Sequence, residues 1–416
     1  MGERDQIEFP LGVPRYTTAG LLSELRISPR GDRVAYLEHS VRIDNRSEVW
    51  LMDRRGTRKQ LTFEGKSITG LTWARDGSEL LFSADPGSGR QYSIYAVRLD
   101  GSLRHVMEVP GSFILQDVSR EGRWLVMRDE RRTSVFVHRP EWSEDHDLSW
   151  FDESTGGLLT DDGASIVFAE SNASAGGDEP IVCLRKTDGS PVVKLGAGTP
   201  TDISDDGKWV LARVDVSHGE QLVLYPTGAG TTRKINTGGV DNLWRASFFP
   251  GGDSVLFSGG ISGAAMRCYV QSLAGGSPRP VTPEGVFRFK VSQHGSSFLV
   301  RAAAPDSRYL RYDAGSTAWA PVPWLTNSDA VWYWDSESNI ALVSRKLKGR
   351  TFNDVPIVLE TVDLRKGRRK PFRVLDPPES RGLQGVSFTD VTPDLLTYTY
   401  DASWKRSSLW VVEPAK

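Results

Sequence analysis

The densest run of side chains able to do chemistry lies between His138 and His146, which bracket Glu141, Glu144 and Asp145, with Asp147 just beyond. Imidazole nitrogens and carboxylate oxygens this close in sequence would coordinate a divalent metal if the loop folded back on itself. The same stretch falls where a connection between two strands is expected, and a solvated acidic loop needs no ion, so no metal ligand is assigned. The other histidines, His39, His105, His218 and His294, are scattered. Nucleophilic acyl transfer would call for a Gly-x-Ser-x-Gly elbow. The nearest string, Gly260-Ile261-Ser262-Gly263-Ala264, lacks the last glycine and reads as a hairpin loop. Phosphoryl transfer would call for a glycine-rich phosphate loop, a His-Arg-Asp followed by Asn, and an Asp-Phe-Gly. None is present, and His138-Arg139-Pro140 is no substitute. Asp205-Asp206-Gly207 is a turn without the Tyr, Glu and Arg that glycoside chemistry would require. The sequence therefore assigns no catalytic residue, no metal and no cofactor.

Charge narrows the partners. With 51 basic and 53 acidic residues the formal charge is -2, which gives no overall field toward nucleic acid or an anionic membrane. Two basic strings, 345–350 and 365–373, belong to one repeat, but antiparallel strands would carry them to opposite ends of their sheet. Residues 1–20 lack the apolar stretch of a signal peptide, and no 18-residue apolar run exists, so no membrane insertion by this chain is expected. Cys183 and Cys268 are expected two repeats apart, as buried thiols and not as a disulfide.

Binding chemistry has better candidates. Trp244, Arg245, Phe287, Arg288 and Trp332 fall near the beginnings of innermost strands, where aromatic and guanidinium groups would ring the mouth of a central channel and anchor a ligand. The other tryptophans singled out, Trp50, Trp73, Trp124, Trp209 and Trp410, occupy repeat positions at which packing between sheets is the expectation.

The elements that would position these residues are set by a repeat. Small-residue turns recur at Ser28-Pro29-Arg30-Gly31, Ala74-Arg75-Asp76-Gly77, Ser119-Arg120-Glu121-Gly122, Thr160-Asp161-Asp162-Gly163 and Ser204-Asp205-Asp206-Gly207. Phe249-Pro250-Gly251-Gly252 and Ser292-Gln293-His294-Gly295 follow, then the degraded Asp335-Ser336-Glu337-Ser338 and Thr392-Pro393-Asp394-Leu395. The last residue of each tetrad advances by 46, 45, 41, 44, 45, 43, 43 and 57, the period of a four-stranded propeller blade. Within one repeat, strands are expected at 68–73, 79–83, 93–98 and 104–108, with Asp100-Gly101 as the last hairpin. Apolar triplets such as Ile166-Val167-Phe168 and Val255-Leu256-Phe257 follow the turns without alternation, as strands covered on both faces do. No long segment carries a helical period.

The expectation is an all-β chain, a β-propeller of four-stranded antiparallel blades with about nine repeat units, or alternatively eight. It is read as a single domain over 1–416, with repeats starting near 21, 67, 112, 156, 199, 242, 285, 328 and 383. The ninth repeat, with its third strand at 408–412, lacks an outer strand. Short N-terminal strands at 6–9 and 15–18 are expected to supply it and close the ring.

The tetrads, third strands of the Ile94-Tyr95-Ala96-Val97 kind, and exits such as Leu61-Thr62 and Val281-Thr282-Pro283 resemble the TolB-like, WD-repeat-like propellers of bacteria over nearly the whole chain. A narrower likeness is carried by Asp147-Leu148-Ser149-Trp150 and Leu184-Arg185-Lys186-Thr187-Asp188-Gly189-Ser190-Pro191. Asp206-Gly207-Lys208-Trp209-Val210-Leu211-Ala212 and Tyr225-Pro226-Thr227-Gly228-Ala229-Gly230 share it. These look similar to the C-terminal sensor propeller of membrane-anchored bacterial serine/threonine protein kinases. That resemblance implies a non-catalytic recognition module outside the cytoplasm whose partner is a protein, peptide or cell-envelope ligand, with no nucleic acid. A free-standing TolB-like scaffold is the alternative, and a hydrolase or lyase working in the channel is a further one.

Overall fold

The computed structural model describes residues 4–40, 46–62, 67–85, 92–107, 112–171, 179–217, 219–261, 263–294, 297–302, 308–313, 319–346, 354–377 and 381–413. Among these there is no α-helix; every element is a strand, and the sheets are antiparallel. The turns form as their chemistry dictates. Gly163 and Gly207 sit at φ 65° and 67° and donate their N–H to the carbonyls of Thr160 and Ser204 at 2.8 and 2.7 Å. Asp162 and Asp206 accept backbone N–H groups within the same turns. The degraded ninth turn keeps this geometry at Leu395, held at φ 61° with its N–H on the Thr392 carbonyl at 2.8 Å.

Contacts divide the chain, read above as one domain, into two compact units: Met1–Glu130 with Lys405–Lys416, and Arg131–Trp404. In the larger unit, five four-stranded sheets begin with the first strands Ser154–Leu159, Thr199–Ile203, Asp241–Phe248, Arg288–Val291 and Asp329–Asp335. A sixth is built from Leu383–Val391, residues 398–404, residues 131–138 and His146–Asp147. Each sheet is tied to the next. Tyr225 donates to the Ala197 carbonyl at 2.7 Å, the Phe248 N–H to Asp202 at 2.8 Å, and the Ser336 N–H to Ser292 at 2.7 Å. Trp244 meets Phe287 with ring centroids 5.1 Å apart, and Tyr333 reaches the Pro393 carbonyl at 3.4 Å. The Leu159 N–H then donates to Asp390 at 3.0 Å, which returns the sixth sheet to the first and makes the larger unit a closed β-propeller. Its core lies between sheets: Ile166, Val167 and Phe168 are fully buried, as are Val255, Leu256 and Phe257.

The smaller unit holds two four-stranded sheets, which begin at Leu21–Ile27 and Ser67–Trp73, and a third made of Ser112–Val118, residues 124–130 and residues 405–412. The expected ring closure by the N-terminus does not occur. Asp5–Glu8 pairs with Pro14–Thr18 in a two-stranded sheet, because Ile7, Phe9 and Tyr16 cover Val34, Tyr36 and Met52 on the first sheet. The neighbour of the ninth repeat is instead the third. Trp124–His138 and Tyr398–Val412 are both 15-residue strands, and each contributes one half to each unit. In the larger unit Phe136 stacks on Tyr400 at 5.2 Å and Thr133 bonds Ser403 at 3.0 Å; in the smaller, Ser407 bonds Asp129 at 2.5 Å. The third and ninth repeats thus share the strands Trp124–His138 and Tyr398–Val412, and the separate strand expected at 408–412 is the continuation of a longer one.

Candidate functional site

The first strands of the larger propeller line its channel, so a side chain pointing inward from them meets the other five sheets and not its own core. Trp244 and Arg245 stand on Asp241–Phe248, Arg288 begins Arg288–Val291, and Phe287 directly precedes it. The structure brings Trp244, Phe287 and Arg288 into contact. Trp244 is 43% exposed, its indole meets the edge of Phe287, and the Arg288 guanidinium lies 4.8 Å from the Trp244 ring centroid and 5.9 Å from that of Phe287. Trp332 is not part of the group. Its indole N–H donates to Ser344 at 2.8 Å and its half-buried ring packs on Phe388 at 5.8 Å, against the core between the fifth and sixth sheets.

Arg245 points deeper. Desolvation pushes its guanidinium down from its ordinary value, while Asp202 and Asp390 oppose that shift. Lys290 is likewise pushed down by burial, and Asp390, Arg245 and Asp202 act on it. The carboxyl of Asp202 is pushed up to about 7 by desolvation, with Lys290 pulling it back, and Asp390 is raised for the same reason. All four residues are half-buried, and the surrounding strands remove most of the water a free charge would hold.

Sequence reasoning missed Asp202, Lys290 and Asp390. Their signal is positional: each lies two residues before a turn tetrad, ahead of Ser204, Ser292 and Thr392, and Asp117 stands in the same place ahead of Ser119. A charge recurring at one register of strands otherwise rich in apolar residues marks the face turned to the channel.

The histidine and carboxylate stretch is spent on structure. His138 Nδ1 lies 2.8 Å from Asp145, whose other oxygen accepts from the Tyr400 hydroxyl at 2.8 Å, and the His138 ring stacks on Tyr398 at 4.6 Å. His146 stacks on Trp142 at 4.0 Å. Among the described residues no group of three or more His, Cys, Asp or Glu could hold a metal. Ser262, His218, Gly295 and residues 347–350 lie outside the described residues. In the second basic string, Arg369 is committed to Asp329 at 2.8 Å and Glu360 at 3.1 Å, and Arg365 to the Glu337 carbonyl at 3.0 Å. Cys183 and Cys268 are free, buried thiols, each pushed up to about 12 by desolvation. Trp73 and Trp124 are buried as expected, but Trp410 is 53% exposed, because its half of the Tyr398–Val412 strand lies in a three-stranded sheet with no fourth strand beside it.

No family model and no curated protein matches the sequence. Solved structures similar to it include TolB from Acinetobacter baumannii, at 12% identity and a TM-score of 0.32, covering 83% of this chain and 64% of that one. The β-propeller domain of the Trilobed protease from Pyrococcus furiosus is similar at 11% identity and a TM-score of 0.37, covering 86% and 99%. A puromycin-hydrolyzing peptidase of Mycobacterium tuberculosis is similar at 14% identity and a TM-score of 0.42, covering 76% and 54%. The chain thus spans about two thirds of the TolB and about half of the peptidase. At these values the fold rests on the circuit of strands described above.

Proposed function

We propose that the larger propeller is a non-catalytic recognition module that binds a protein or peptide at the end of the channel marked by Trp244, Phe287 and Arg288. The supporting observation is the exposed indole of Trp244 with the Arg288 guanidinium laid over it. An exposed Trp–Arg pair on two adjacent rigid strands is the kind of anchor on which binding energy concentrates. Recognition then needs no covalent step: sheet packing gives rigidity, and the channel mouth gives specificity. The resemblance to sensor propellers of bacterial serine/threonine kinases extends the proposal to a site of action outside the cytoplasm and to a receptor role in which binding reorients attached domains. Capture of partners from a cell-envelope fraction by immobilised protein tests the first part. Trp244→Ala and Arg288→Ala are expected to reduce capture at least tenfold with the thermal midpoint unchanged, and undiminished capture would refute the assignment. Reading the gene upstream of Met1 tests the receptor role, which requires a kinase domain and a membrane helix there.

A further inference from the structure

The channel of the larger propeller contains two cations that have no acceptor among the described residues. Asp202, Arg245, Lys290 and Asp390 come from the first strands of four different sheets and are close enough to act on one another electrostatically. Opposite charges in a desolvated space ordinarily pair, because an isolated buried ion is costly. Here they do not. The two carboxylates are turned to the wall: Asp202 accepts the N–H of Ile203 at 3.0 Å and that of Phe248 at 2.8 Å. Asp390 accepts the Leu159 N–H at 3.0 Å and also a backbone N–H from Val391. Those bonds staple neighbouring sheets together and fix where the carboxylates point. Among the described residues, the Arg245 guanidinium and the Lys290 ammonium take part in no hydrogen bond and no ion pair, and Asp202 and Asp390 act on them only electrostatically.

We infer that Arg245 and Lys290 together bind a carboxylate group delivered into the channel by a peptide ligand. The inference rests on the recognition role proposed above and names the chemistry of what is recognised. A planar carboxylate supplies the two acceptor oxygens that a guanidinium and an ammonium lack. Two lining aspartates limit the charge that can enter. A monoanion leaves the group of five charges at −1, or neutral with one proton on Asp202, whereas a phosphate dianion adds a further negative charge to a site poor in water. Arg288 at the mouth supplies a third cation on the way in.

The test is the thermal midpoint of the full chain, titrated at matched ionic strength against sodium chloride. N-acetylglutamate α-amide presents a side-chain carboxylate and N-acetylglycine a terminal one; N-acetylglutamine α-amide is the uncharged control, and inorganic phosphate the competing anion. One or both carboxylates are expected to raise the midpoint by about 2 °C or more at saturation, and their ratio says which source the channel prefers. Arg245→Met and Lys290→Met remove no side-chain bond made among the described residues, so both variants are expected to fold, with far-ultraviolet circular dichroism as the check, and to lose the rise. Lys290→Gln serves as the milder variant. Carboxylates no better than chloride, a rise that survives in both Met variants, or a larger rise with phosphate would each overturn the inference. Partner capture that depends on Trp244 while carboxylates do nothing would leave recognition standing and remove only the ligand chemistry. A carboxylate effect without dependence of capture on Trp244 would remove the mouth assignment alone.

Discussion

The Gln293 side-chain amide donates to both carboxylate oxygens of Asp161, each at 3.2 Å, across 132 residues of sequence. The two belong to turn tetrads of the first and fourth sheets of the larger propeller, three places apart in a circuit of six, so the bond spans the channel at the end opposite Trp244. Desolvation, with help from Asp205, raises the Asp161 carboxyl above its ordinary value, and Gln293 works against that shift. Gln293→Ala is expected to cost about 0.5–1 kcal/mol in urea unfolding, the worth of a hydrogen bond to a charged group at a partly wet site. No loss at all would mean that the bond is not maintained in solution.

Asp401 sets a dependence on pH. Its Oδ2 accepts the Gly156 N–H at 2.8 Å, its Oδ1 is buried without a hydrogen-bond partner among the described residues, and desolvation, opposed by the Gly156 and Gly157 N–H groups, pushes the carboxyl from 3.8 up to about 7. A folded-state value above the unfolded one means that the native protein keeps a proton the unfolded chain has released. The contribution to stability is full below about pH 4 and falls away as pH rises to about 7. Asp202, also raised to about 7, adds to the same slope. Asp401→Asn is expected to be more stable than the parent at pH 8, by on the order of 1–3 kcal/mol, and little different at pH 4. Chemical unfolding at the two pH values checks this.

Arg369 and Asp329 form the opposite case. The Arg369 guanidinium donates to both Asp329 oxygens at 2.8 and 2.9 Å, and the Thr326 N–H adds a third bond at 2.7 Å. Desolvation works against the fully buried carboxylate, but these donors hold it below the usual range. Its contribution is present above the unfolded value and lost as acid takes pH down through the lowered one. Arg369→Met leaves Asp329 buried without its ion partner and is expected to cost about 3–5 kcal/mol. Adding Asp329→Asn should recover part of that loss, a double-mutant comparison readable by calorimetry.

Arg58 anchors the N-terminal hairpin of the smaller unit. Its guanidinium lies 3.4 Å from the ring centroid of Tyr16 and 4.0 Å from that of Trp50, bonds the Tyr36 hydroxyl at 2.6 Å and pairs with Glu38. An ammonium cannot stack as a plane or reach both oxygens, so Arg58→Lys is expected to lose about 1–2 kcal/mol and to expose Tyr16 to chemical modification.

What was legible in the sequence was local. Asp162 and Asp206 bond within their own turns, and Gly163 and Gly207 take the left-handed conformation those turns need, so four residues suffice to mark each reversal. Trp244 and Arg288 lie near the starts of strands whose spacing the repeat sets, which put them on neighbouring sheets. The grouping of repeats was not legible, since the pairing of Phe136 with Tyr400 joins segments more than 260 residues apart, and nothing in either heptapeptide around them names the other. That Trp332 stands apart from Trp244 was not legible for a related reason. Its neighbour Phe388 comes from the next repeat, and only their packing separates a core indole from one at the mouth.

The strand Tyr398–Val412 completes a sheet in each unit, and it is the last of the described strands to be made. A ribosome that has released the first 130 residues has delivered nearly all of the smaller unit but not its residues 405–412, and the larger propeller waits for residues 398–404 to close. Neither can finish during synthesis. Both must hold open strand edges until that segment emerges, so unpaired edges are exposed on the growing chain for longer than in a fold whose units are contiguous in sequence.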